Sequence, residues 1–226
     1  MLFTGTFFAE ILFLFFLSKF VTIKLSHLFY KATRSRTTTI NLLAFLFFPG
    51  TVIHELSHLF MAAMLFVPVG HMELWPKVEE EGNNVKMGSV AIAETDIFRR
   101  FLIGAAPFLL GVSLLLGLLF YSVSNDLLSN YWIIAGLLYV AFEIGNTMFS
   151  SAKDMEGALE LFGAILLFFI ILYFLGIRIP SFRPELIFGH PTVVEVFKQG
   201  SIFLLVPLGL DLLVLLLLRL FSFKKL

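Results

Sequence analysis

His54, Glu55 and His58 are the residues of this chain whose types and spacing best suit them to do chemistry. They stand in the run Thr51-Val52-Ile53-His54-Glu55-Leu56-Ser57-His58-Leu59-Phe60, an H-E-x-x-H pattern inside an apolar stretch from about Ile40 to Phe66. On a helix, positions i and i+4 share a face one turn apart. His54 and His58 can therefore turn two imidazole nitrogens toward a single tetrahedral Zn²⁺. Glu55, about 100° around the same helix, sits beside them, where it can take a proton from a water that the metal activates. Two imidazoles and a carboxylate inside an apolar segment carry a large desolvation cost unless they are coordinated or paired. The expected chemistry is hydrolysis with one Zn²⁺ per chain. Hydrogen-bonded interior polar groups are the plainer alternative.

A catalytic zinc takes three protein ligands and keeps a fourth position open. The chain has no cysteine, so the third ligand must be His, Asp or Glu. A predicted helix at about 131–152 carries Glu143, Asn146 and Ser150, with Asp154 just beyond it. Their successive spacings of three, four and four keep them within about 80° of one another on a helical wheel, a polar stripe that should face a bundle interior. Asp154 and Glu143 are both candidates for the third ligand, and spacing alone does not choose between them. His71 and His190 lie outside any clear membrane helix. With Glu143 as ligand the chain would be a membrane gluzincin. A non-catalytic metal-binding, transport or scaffold protein is a further alternative, against which the presence of Glu55 weighs.

The elements that must hold these residues are apolar. Of 226 residues, 59% are hydrophobic and 14% charged, with 29 Phe, and the mean hydropathy is +0.96. Soluble domains are about half apolar and a quarter charged, so the composition is that of an integral membrane protein. The zero net charge offers no basic footprint for nucleic acid. The expected fold is all-α and polytopic, with about six transmembrane helices and a small β-hairpin after the second. One integral membrane domain should fill residues 1–226. A core at about 40–157 would hold helices at about 40–66, 98–122 and 131–152, with accessory helices at about 2–20, 158–176 and 200–221. The basic segment at about 19–39 reads as an interfacial connection touching lipid headgroups. Residues at about 178–199, with three prolines, read as irregular.

Pro49-Gly50 should kink or restart the second helix shortly before His54, with Thr51 as an N-cap. The stretch from His71 to Glu79 alternates polar and apolar residues, Gly82-Asn83-Asn84 is a turn signal, and Val85–Ile92 can return as a second strand. The hairpin, at about 67–97, would stand beside the zinc site, its edge free to hold an extended peptide. Gly104-Ala105-Ala106-Pro107 and Gly111 form a small-residue patch for close helix packing. Glu10 and Asp211 are further acids within predicted membrane helices, each with a structural partner or a part in gating to account for it. Lys and Arg divide evenly between the two sets of connections, so charge does not orient the chain.

The combination of His54-Glu55-Leu56-Ser57-His58 with Asn146 and, later, Asp154 and Gly157 resembles the site-2 protease family of intramembrane zinc metalloproteases. That family carries H-E-x-x-H on one membrane helix and an Asn and an Asp-Gly on a later one. The small-small-Pro element at Gly104–Pro107 and the β-segment after the first motif are similar too. The resemblance covers about residues 45–157. It implies that Asp154 is the third ligand and that Asn146 handles substrate; Ser150, on the same polar stripe, is a further candidate for holding substrate, and Glu55 is the expected general base. It further implies a partner that is the transmembrane segment of a membrane protein, cleaved within the bilayer of the cell membrane. It also suggests that the hairpin side faces the cytoplasm.

Overall fold

Away from water a chain must satisfy its backbone N–H and C=O groups internally, and long apolar runs do so as helices. The computed structural model describes residues 2–78, 85, 86, 88–149, 151, 154, 156–174 and 188–223. Its elements are α1 (Leu2–Thr33), α2 (Arg36–Leu46), α3 (Phe48–Met64), β1 (Val69–Glu73), β2 (Lys77–Val78), β3 (Val85–Lys86), β4 (Ser89–Ile92), α4 (Ile97–Ser124), α5 (Tyr131–Thr147), α6 (Glu156–Phe174) and α7 (Pro191–Phe223). Among the described residues, α1, α4 and α7 are long and apolar enough to cross a membrane, and α2 with α3 makes a fourth if the bent pair is one span. This falls short of the six expected. The 17 residues of α5 rise only about 26 Å, just under the hydrocarbon thickness of about 30 Å.

Several boundaries differ from expectation: α2 begins at Arg36 rather than near 40, α5 ends at Thr147 rather than near 152, which leaves Asp154 beyond the helix, and the ends of the first and last helices shift as well. The basic segment after the first apolar run does not leave the helix, because α1 continues to Thr33. Lysine stems can lie along an apolar surface, and here Lys19 Nζ stands 4.0 Å from the Phe15 ring centroid and Lys24 Nζ 5.0 Å from that of Phe20. The helix stops where Arg34 adopts φ 51°. Likewise the last helix starts at Pro191 rather than near residue 200. Proline lacks an N–H and has a helical φ, so it suits a first helical position.

The buried positions of α1 include Thr4, Phe7, Ile11, Leu14, Ser18, Val21 and Leu25. They recur every three or four residues and form one seam. The matching seam on α7 is Ser201, Leu204, Leu208 and Asp211. The two helices pack along these seams; Phe7, Ile11, Leu14, Leu204 and Leu208 join Leu115 and Leu119 of α4 and Ile144 of α5 in the main core, while Val21 and Leu25 pack with Leu43 and Phe47. Small residues bring the site helices together. Gly111 of α4 lies against Met148, and Gly145 of α5 against Pro207 of α7.

The expected break before His54 is present. The axes of α2 and α3 differ by 71°. The break falls at Phe47, which has φ −93° and ψ 13° and makes no side-chain cap. Thr51 is thus inside α3 and not its N-cap. Pro49 lies in the first turn of the new helix, and the orphan N–H of Gly50 is accepted by Glu143 Oε2 of α5 at 3.0 Å. The expected hairpin is also present. Antiparallel β1–β4 pairing sets Met72 opposite Val90 and Glu73 opposite Ser89, and β2–β3 extends the ribbon. The turn signal at Gly82-Asn83-Asn84 lies outside the described residues.

Candidate metal centre and its cavity

Helical spacing puts His54 and His58 on one face of α3, and hydrogen bonding then aims both rings. His54 Nδ1 lies 2.7 Å from the Thr147 carbonyl at the end of α5, and His58 Nδ1 lies 2.8 Å from the Ile103 carbonyl of α4. A carbonyl can only accept, so each Nδ1 carries the proton and donates it. Each Nε2 of the neutral rings is therefore left with a lone pair. These two nitrogens face one another at 3.3 Å, and neither can donate to the other.

Asp154 closes the group. Its Oδ2 is 3.7 Å from His54 Nε2 and its Oδ1 is 3.5 Å from His58 Nε2. The turn that carries Asp154 reaches this position because Gly104 of α4 has no Cβ where the Asp154 backbone carbonyl lies. Ser151 fixes the carboxylate: its N–H donates to Asp154 Oδ2 at 2.7 Å, and its hydroxyl accepts from the Asp154 N–H at 3.3 Å. The Ser151 N–H donor favours the carboxylate form of Asp154.

Two lone pairs and an anionic carboxylate converging on one point describe a hole for a cation. The dimensions suit zinc, since a tetrahedron with bonds of about 2.0–2.1 Å has edges of about 3.3–3.4 Å. His54, His58 and Asp154 each offer one ligand atom, all within 4.8 Å of one another. The carbonyls behind both imidazoles are the outer partners that hold histidine ligands in the required tautomer.

A cavity of about 960 Å³ opens onto this group. Glu55, 6% exposed, lines it together with the metal-ligand candidates. Strand β4 pairs with β1 on one edge, and residues from Gly88 to Thr95 line the cavity. Gly88 packs directly on Glu55, where a Cβ would come within 2.9 Å of Glu55 Oε1 and of Thr51 Cγ2.

The residues singled out in the sequence are distributed as follows. His54, Glu55, His58 and Asp154 share the cavity, and Asn146 lines it too. Ser150 lies outside the described residues. Glu143 is fully buried but is no part of the metal group; it serves the Gly50 N–H instead. His71 and His190 are exposed and stand apart from the group. Glu10 Oε2 is buried in α1 with no partner among the described residues. Asp211 reaches across from α7 to accept a hydrogen bond from Asn146. Sequence reading missed Gly88, Ser151 and the Thr147 and Ile103 carbonyls. Only Gly88 left any signal, as the small residue just before the returning strand. Comparisons with models of protein families, with curated proteins and with solved structures gave no match.

Proposed function

We propose that the protein is an intramembrane zinc metalloprotease resembling the site-2 proteases, which hydrolyses a peptide bond in or near the transmembrane segment of a membrane protein. The observation that carries this reading is the convergence of His54 Nε2, His58 Nε2 and the Asp154 carboxylate beside buried Glu55, in a cavity bordered by a strand that, among the described residues, has one edge free of strand partners. On this reading α5 and α6 cross the bilayer with the longer helices, making six crossings, and 17 residues is the short limit for such a span.

When bound, a zinc ion would supply the Lewis acidity that polarises a scissile carbonyl and acidifies a water. The chain's own residues do the rest. Glu55 accepts the proton of the attacking water and returns it to the departing amine. The Thr147 and Ile103 carbonyls hold both imidazoles with Nε2 outward. A helical substrate hides its carbonyls in its own hydrogen bonds, so it must unwind before it is cut. Strand β4 then offers backbone donors and acceptors to the extended segment by adding it to the sheet.

The test uses purified full chain in detergent with zinc supplied. Wild type should hold one zinc per chain and cleave a peptide bearing one apolar span. Glu55→Gln should keep the zinc and lose about 10²–10⁴-fold in rate. Cleavage by Glu55→Gln at the wild-type rate, or no zinc in wild type, would sink the proposal.

A further inference from the structure

Residues from Gly88 to Thr95 form one wall of the cavity. They read Gly-Ser-Val-Ala-Ile-Ala-Glu-Thr, so Glu94 is the charged residue of an otherwise small and apolar segment. Glu94 is exposed. It follows β4 and stands just ahead of α4, a helix long enough to cross a membrane. The cavity therefore meets the membrane boundary at Glu94. The charges nearby are matched to one another. Arg99 pairs with Asp96 at 3.3 Å, and Arg100, which also lines the cavity, pairs with Glu160 of α6 at 3.1 Å. Glu94 has no ion pair among the described residues.

We propose that Glu94 is a specificity-determining residue, which selects substrates whose apolar span is closed by a lysine or arginine about six residues from the cleaved bond. This deepens the protease reading and rests on it. The wall segment is an apolar track that ends in an acid. Membrane spans carry the complementary order, because Lys and Arg gather at the cytoplasmic ends of apolar runs. The distance follows from strand geometry. Gly88, at one end of the track, packs on Glu55, and Glu94 is the sixth residue beyond it. A segment added to β4 advances residue for residue with the strand, about 3.3 Å at each step. The cation then lies about 20 Å from the bond beside Glu55. A lysine or arginine there meets a carboxylate that has no other ion pair, whereas an acid meets like charge. The direction in which the segment runs along β4 sets whether the cation precedes or follows the cleaved bond.

The experiment uses the zinc-loaded full chain in uncharged micelles and quenched-fluorescent peptides whose single apolar span is interrupted by Asn-Gly as the place of cleavage. Each peptide carries Lys, Gln or Glu at the third or the sixth residue from that break, on its N-terminal or its C-terminal side. For wild type, Lys at the sixth residue on one of the two sides should raise kcat/KM about threefold over Gln, and Glu should lower it about threefold, the size of an exposed ion pair. The difference should lie in KM, with kcat unchanged, and should shrink at about 0.5 M salt. Glu94→Gln should abolish the preference and Glu94→Lys should reverse it in favour of Glu, with zinc content equal throughout. The same peptide order in wild type and Glu94→Lys overturns the proposal, and so does a preference for Lys that is equal at the third and sixth residues. Binding of the same peptides to Glu55→Gln, read by fluorescence anisotropy, should rank Lys over Gln over Glu. Failure of the protease reading looks different: wild type and Glu55→Gln then cleave alike or not at all. Reversal of the binding order when Glu94→Lys is added to Glu55→Gln still decides the role of Glu94.

Discussion

Single residues divide the work at the centre by what each can donate or accept. Both histidines donate through Nδ1 to backbone carbonyls, which leaves both Nε2 atoms for a cation that Asp154 completes. Glu143 was an equal rival for third ligand on spacing alone. Its carboxylate instead accepts from Gly50 N–H at the start of α3. The two acids therefore predict opposite outcomes. Asp154→Ala should lose zinc on dialysis and keep its fold. Glu143→Ala should keep zinc, and the Gly50 N–H left without an acceptor should cost about 1–3 kcal/mol of stability. Zinc content and thermal unfolding of the two variants check this, and zinc lost only from Glu143→Ala would return the ligand assignment to Glu143. The H-E-x-x-H pair was legible because a helix is periodic. The outer carbonyls were not, since any residue can supply one.

At the scale of elements, the break between α2 and α3 sets the direction of the helix that carries His54 and His58. Pro49-Gly50 announced it in the sequence. Its cause is shared, because Gly50 packs so closely on α5 that a Cβ would stand 2.5 Å from Thr147 Oγ1 and 2.9 Å from the Glu143 carbonyl. Thr147 is also the residue whose carbonyl orients His54. Gly50→Ala should consequently push α3 off α5, cost about 1–3 kcal/mol as overpacking does, and weaken zinc retention as well. A zinc titration beside a melting curve tests the link; a stability loss with unaltered zinc affinity would mean that the helix contact and the metal site are independent. The hairpin was equally legible from its alternation and turn residues. That Gly88 rests on Glu55 was not, for the contact joins residues of two separate elements.

Across the whole molecule, the α1–α7 pair buttresses the helices that carry the site. Outward-facing apolar side chains such as Phe8, Leu12, Phe16, Leu213 and Leu216 are exposed along that pair, as lipid contact requires. The joint between buttress and site is Gly145 of α5, where a Cβ would meet Pro207 of α7 at 2.9 Å and Leu14 of α1 at 3.8 Å. Gly145→Leu should wedge α7 away at a cost of about 1–3 kcal/mol. The expected signature is a lower melting temperature with one zinc retained, because, among the described residues, α7 contributes none to the lining of the cavity that holds His54, His58 and Asp154. Zinc loss in that variant would mean that the metal group depends on the α7 contact.

Sequence alone determined the apolar, helical character of the chain, the pairing of His54 with His58, the kink before them and the alternating strands after them. Each of these is a local property: hydropathy over a span, a repeat of 3.6 or 2 residues per period, or a proline that cannot donate. Tertiary structure decided which acid joins the histidines, what accepts the Gly50 N–H at the start of α3, where Glu55 is covered and which residue bonds to Asn146. Those outcomes depend on distances between positions as remote in the chain as Gly50 and Glu143, or Asn146 and Asp211. A one-dimensional pattern carries residue type and interval, whereas a ligand set, a helix-end acceptor or a hydrogen-bonded pair is a matter of which lone pair meets which proton in space.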